Sequence, residues 1–257
     1  MNNFVSNSYG EKSSEYYDKA HAGFDPYPGQ IEFLRDKAGA GVAIEVGVGT
    51  GRIALPLARH GVPVIGIDNS PRMIELLRAK IGDLPVTGII GDASICETVP
   101  GKPPTLIFGI FNFFYILPGR DAQLNFLKIV REKLAPFGSL VLEAFVPKVE
   151  TILPDGPNPG FFPKDRAVTV KTLDADHIIL AVSQNYPERS VWEYQEVVLR
   201  SGSPVEIVPA TLHYLRPEEF DALAGEAGLK LAERYSGWDR SPFDESSPKH
   251  VSVYTVH

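Results

Sequence analysis

Hydrophobic positions follow two different periods along this chain, and the change of period marks its organisation. In the first part, short apolar runs alternate with segments whose apolar residues recur three and four apart, the pattern of buried strands between amphipathic helices. Val42–Val46, Val62–Asp68, Pro85–Ile90, Thr105–Ile110 and Ser139–Phe145 predict strands. Helices are predicted over Gln30–Ala38, over Arg52–Gly61, from Pro71 to Lys80 and from Arg120 to Leu134. Ser70 before Pro71 is a side-chain cap followed by proline at the first helical position. Thr105–Ile110 is almost uniformly apolar, as in a strand buried on both faces near the centre of a sheet, which puts Phe111–Tyr115 in the crevice at its C-terminal end.

Beyond Phe145 the period falls to two. After a proline- and glycine-rich loop at Pro154–Gly160, antiparallel strands are predicted over Arg166–Leu173, His177–Gln184, Val191–Leu199 and Val205–Pro209. A helix over Pro217–Gly228 and strands over Leu229–Tyr235 and His250–Val256 return to the first pattern. The chain is thus α/β with an inserted antiparallel block. We read 1–38 as an N-terminal helical cap, 39–145 as a ligand-binding core, 146–213 as an antiparallel β cover over the active site, and 214–257 as the C-terminal part of the core.

Composition narrows the function. With 257 residues, 44 % of them hydrophobic, the chain can bury a full core. A net charge of -7 weighs against nucleic acid as a partner. Cys96 is the single cysteine, which excludes an intramolecular disulfide and a cysteine-rich metal site. The histidines are scattered, so no metal is expected. No long apolar run and no signal-like N-terminus appear, which predicts a cytoplasmic protein with no membrane partner. The inserted block suits either substrate capture or a homodimer surface.

Glu45-Val46-Gly47-Val48-Gly49-Thr50-Gly51 follows the first strand directly and opens a helix. Glycines let the backbone turn and approach a ligand, and a helix start offers unpaired N–H groups. Asp68 ends the second strand about 20 residues on, where an acid in this architecture meets ribose hydroxyls. Together they predict an adenosine-containing ligand. Asp92, after the third strand, suits a ligand contact or a helix cap equally. Asn7–Lys19 is amphipathic and tyrosine-rich and breaks at Gly23, Pro26 and Pro28; it reads as a lid, or as edge packing.

The order Glu45-x-Gly47-x-Gly49-x-Gly51, Gly66-Ile67-Asp68-x-Ser70-x-x-Met73, Gly91-Asp92-Ala93 and Leu134-Ala135-Pro136-Phe137-Gly138 resembles the class I S-adenosylmethionine-dependent methyltransferases. Within them the inserted block, Tyr16-Tyr17-Asp18 and His213–Phe220 are similar to bacterial small-molecule N-methyltransferases, including those acting on amino sugars in natural-product pathways. The resemblance implies a Rossmann-like seven-stranded mixed sheet with helices on both faces and an antiparallel last strand. It implies S-adenosyl-L-methionine as cofactor, with Glu45, Gly47, Gly49 and Gly51 at its amino acid and ribose, Asp68 at the ribose hydroxyls, Met73 near the adenine, and Asp92 at the adenine amino group. Phe111 to Phe114 would pass beside it toward the acceptor, and Tyr17, Arg52, Asn69 and Ala93 complete the expected contacts. Pro136-Phe137-Gly138 departs from the family's usual Pro-Gly-Gly.

Methyl transfer from a sulfonium needs alignment more than side-chain chemistry, but an amine acceptor must arrive unprotonated. His213 is the first candidate to take that proton, followed by Tyr214, Glu193 and Tyr17. His213 also reads as a hydrogen-bonded histidine at the end of a strand. Phe161, Phe162, Trp192 and Tyr194 are an aromatic acceptor pocket or the core of the block, and His177 reads as solvated. The expected function is methyl transfer to a small-molecule amine. The alternatives are an O-methyltransferase, or a catalytically inactive cofactor-binding interaction protein; a dinucleotide oxidoreductase is disfavoured by Gly91-Asp92-Ala93 and the C-terminal strand pair.

Overall fold

The computed structural model describes residues 10–12, 14, 17–18, 26–94, 101–147 and 166–256. Helix α1 (Gln30–Ala38) precedes β1 (Ala43–Val46), α2 (Ala54–Arg59), β2 (Val64–Asp68), α3 (Pro71–Ile81), β3 (Val86–Ile90) and β4 (Leu106–Gly109). Then come α4 (Phe113–Ile116), α5 (Gly119–Lys133) and β5 (Ser139–Phe145). The antiparallel block is β6 (Arg166–Leu173), β7 (His177–Tyr186), β8 (Val191–Arg200) and β9 (Glu206–His213), and the chain closes with α6 (Pro217–Glu226), β10 (Leu229–Tyr235) and β11 (Lys249–Val256).

The main sheet has seven strands in the order β10-β11-β5-β4-β1-β2-β3, and β11 runs antiparallel to both its neighbours. Every residue of β4, the middle strand, is buried, as its apolar run predicts. The α3 cap also forms as the sequence indicates, with Ser70 Oγ accepting the Met73 N–H at 3.1 Å. One face of the sheet packs on Phe114, Phe126, Phe220 and Tyr254, the other on Phe33, Leu57, Ile74 and Trp238. Parallel register between β1 and β2 sets Val46 beside Ile67, so the glycine loop and Asp68 emerge at the same edge.

The second sheet has the order β6-β7-β8-β9. Alternation along β8 puts Trp192, Tyr194, Glu196 and Val198 on one face. Trp192 is buried and meets Phe145, the last residue of β5, edge-on with ring centroids 5.8 Å apart. It shares the main core with Leu212 and Tyr214, so this sheet is anchored where β5 ends.

Three expectations are corrected. His177 is not solvated: it is the first residue of β7, opposite Arg200, and is buried. The last strand of the block runs past Pro209 to His213, because β9 is an edge strand in which a missing N–H breaks no ladder. Phe114 and Tyr115 are not in the crevice. The chain turns into α4 after β4, which carries both rings into the core, where Phe114 packs on Phe220 with centroids 4.4 Å apart.

Candidate active site

The glycine loop leaves β1 hydrogen-bonded to β2, with Gly47 N–H and Val48 N–H both donating to Ile67 O. Gly47 has φ 75° and Gly51 φ 89°, and neither has room for a side chain. A Cβ on Gly47 would lie 2.8 Å from the Phe113 ring, and one on Gly51 2.5 Å from Leu77. Asp68 braces the loop, its carboxylate accepting Gly49 N–H at 2.8 Å and Ser70 N–H at 2.9 Å. Burial raises its pKa against these two hydrogen bonds. A carboxylate has about four acceptor positions, so two remain for a ligand's hydroxyls.

Behind the loop, Glu45 is buried at the third position of β1, and its Oε2 has no hydrogen-bond partner. Burial, opposed by Arg52 and by the Ala54 N–H, pushes its carboxyl up to about 8. An orphaned buried carboxyl oxygen beside a glycine cradle fits a ligand carrying a cationic group. Arg52, directly after the loop, stacks its guanidinium 3.6 Å from the Phe111 ring centroid. Phe111 in turn stacks on Tyr27, centroids 6.3 Å apart.

The described residues before position 19 lie over this edge. Tyr17 is the ring nearest Gly49, and it interacts electrostatically with Arg52, Asp68 and Glu45; burial raises its phenol pKa. Asp18 accepts from Thr50 Oγ1 at 2.5 Å and pairs with Lys80. Glu11 accepts from Ser70 Oγ at 2.7 Å and from Arg72 N–H at 3.1 Å, extending the cap of α3. Met73 is buried below, while Asn69 is exposed beside Asp68. Asp92 is exposed and caps the turn that follows β3, accepting Ser94 N–H at 2.8 Å, and Ala93 is buried in the core.

The other candidates lie elsewhere. His213, half-buried at the end of β9, faces a groove lined by Gly119, Gln123, Arg189, Glu219 and Glu226, and none of the glycine-loop residues lines it. Burial and then Arg189 lower its pKa. Tyr214 is buried with its hydroxyl donating to Asn185 Oδ1 at 3.0 Å, and burial pushes the phenol up to about 12. Glu193 accepts from Tyr186 at 3.3 Å on the face of β8 opposite Trp192 and Tyr194. Of the four proton-acceptor candidates, Tyr17 is the one beside the loop. Phe161 and Phe162 lie outside the described residues.

Sequence reasoning missed Asp18, Thr50, Tyr27, Glu143 and Lys249. Glu143 carried a usable signal, a carboxylate inside the otherwise apolar Ser139–Phe145 run. Its Oε2 accepts Phe111 N–H at 3.3 Å and its Oε1 pairs with Lys249 Nζ at 3.0 Å. Tyr27 and Lys249 carried none, because only the fold brings the segment before α1 against the start of β11. Among the described residues no helix is long and apolar enough to cross a membrane.

A family model described as "Methyltransferase domain" matches residues 43–138, from β1 through the turn before β5. A curated relative, the ubiquinone/menaquinone biosynthesis C-methyltransferase UbiE of Geobacter sp. (strain M21), is 39% identical over 99 residues, 35% of this chain; the match spans 42% of that protein's length. The structure of the CcbJ methyltransferase from Streptomyces caelestis is similar over 97% of this chain and 98% of its own, at 30% identity and a TM-score of 0.83. A S-adenosylmethionine-dependent methyltransferase from Clostridium acetobutylicum ATCC 824 shares the fold over 96% of this chain and 98% of its own, with a TM-score of 0.77 at 13% identity. A glycine cradle braced by a strand-end acid, and likeness along nearly the whole chain, lead to one conclusion: this protein belongs to the class I methyltransferases whose cofactor is S-adenosyl-L-methionine.

Proposed function

We propose that this protein transfers a methyl group from S-adenosylmethionine to an amine nitrogen of a small molecule. The observation that carries the reading is the enclosed acidic constellation of Glu45, Asp68 and Tyr17 around the glycine loop, with an orphaned carboxyl oxygen in it. Such a site suits cationic groups, both on the cofactor and on an acceptor nitrogen that arrives unprotonated and becomes positively charged as it takes the methyl, its proton then passing to solvent. The UbiE relatives, named as C-methyltransferases, match about a third of this chain.

When bound, the cofactor supplies an electrophilic methyl on a sulfonium. Asp68 offers its two remaining acceptor positions to the ribose hydroxyls, and Glu45, releasing the proton that burial holds on it, accepts from a cationic group behind the loop. Arg52 faces the anionic end of the amino acid portion. Tyr17, held protonated by burial, orients the acceptor nitrogen through its hydroxyl oxygen and helps to exclude water above Gly49. His213, Tyr214 and Glu193 are left with roles in the second sheet.

Calorimetric titration with S-adenosylmethionine, S-adenosylhomocysteine and NADH tests the cofactor. Binding of the first two but not the third, weakened about 100-fold by Asp68→Ala through loss of two hydrogen bonds to a charged group, is the expected outcome. A panel of small amines and alcohols, followed by the mass gain of one methyl, tests the acceptor. Methylation of alcohols with amines untouched would overturn the nitrogen assignment.

A further inference from the structure

The tip between β4 and α4 is strained in a way the sequence does not announce. Phe111 and Asn112 are consecutive non-glycine residues in the left-handed region, with φ 53° and 61°. Such residues cost energy and persist where neighbours over-determine them, which is common at functional sites. Here β5 supplies the restraint. Glu143 O accepts Asn112 N–H at 3.3 Å, Glu143 Oε2 accepts Phe111 N–H at 3.3 Å, and Asn112 Oδ1 accepts Phe145 N–H at 2.8 Å. Glu143 is itself fixed from β11 by Lys249, whose ammonium also lies 4.0 Å from the Tyr27 ring centroid. The result is one stack from β11 to the glycine loop: Lys249, Tyr27, Phe111 and Arg52.

We propose that the pair formed by buried Glu143 and half-buried Lys249 is a positioning device that sets the Phe111 ring, and through it the Arg52 guanidinium, for the amino acid end of the cofactor. The inference rests on the cofactor reading above. Glu143 acts at two points, on the Phe111 backbone and on the charge facing Arg52. Lys249 neutralises it, so that Arg52 is not drawn to Glu143 and stays stacked on Phe111. Neither residue touches the cofactor's reacting atoms; both act through Arg52.

The test compares two ligands that differ only in that end. S-adenosylhomocysteine carries the amino acid portion, and 5′-methylthioadenosine lacks it. Calorimetry on the wild type, Glu143→Gln, Lys249→Met and Lys249→Arg should show about a tenfold weakening for S-adenosylhomocysteine in the first two variants, near-wild-type affinity in the third, and less than about a twofold change for methylthioadenosine throughout. Unchanged S-adenosylhomocysteine affinity in Glu143→Gln and Lys249→Met, or equal weakening of both ligands, would overturn the positioning role while leaving the cofactor reading intact. A wild type that binds neither ligand would overturn both.

Discussion

Replacing Glu45 with glutamine should change how stability responds to pH, and the direction follows from the burial of this one carboxyl. Its ordinary value is 4.5 and the fold raises it to about 8. Between those values the folded protein holds a proton that the unfolded chain has released. Unfolding therefore releases a proton, and stability is lost as pH rises from about 4.5 to about 8, with no further loss from this group above that. At about 1.4 kcal/mol per pH unit, the interval sets a ceiling of about 5 kcal/mol. Glutamine is nearly isosteric and does not titrate. Urea unfolding of both proteins at pH 5, 6.5, 8 and 9, at constant ionic strength, isolates the effect as the stability of the variant minus that of the wild type. The difference should grow in favour of Glu45→Gln by several kcal/mol from pH 5 to pH 8 and then level off. A difference that stays constant across the series would refute the argument, because it would mean that Glu45 titrates alike in the folded and unfolded chain.

Two further outcomes concern the scaffold. Phe137 stands in the turn before β5 at φ 65° with its ring 97% exposed, so it pays for a left-handed conformation with no packing in return. Phe137→Gly should stabilise the fold by about 1 kcal/mol, raising the midpoint by about 2–4 °C in a thermal melt; an unchanged or lower midpoint would contradict this. The Tyr115 hydroxyl proton is shared between Leu215 O at 2.8 Å and Phe145 O at 3.1 Å, tying α4 to the end of β5 and to the segment before α6. Tyr115→Phe should cost about 1–2 kcal/mol in denaturant unfolding, and no loss would mean that water replaces the hydroxyl without penalty.

Local chemistry alone settled much of this protein. Apolar runs fixed β4 and β5, and Ser70-Pro71 fixed the start of α3, because a strand buried on both faces and a capped helix start each leave a signature within a few residues. The glycine loop and Asp68 were legible for the same reason: their spacing along the chain is the geometry of one strand, turn and helix. Tertiary structure decided what depends on distant segments meeting. His177 became buried and Phe114 and Tyr115 left the crevice because the packing of whole layers, rather than local period, sets burial. Tyr17 lies beside Gly49 and His213 in a separate groove, although the sequence offered both as acceptors of the same proton. Glu143, Lys249 and Tyr27 come together only because β11 inserts antiparallel beside β5, and no local pattern carries that pairing across 106 residues.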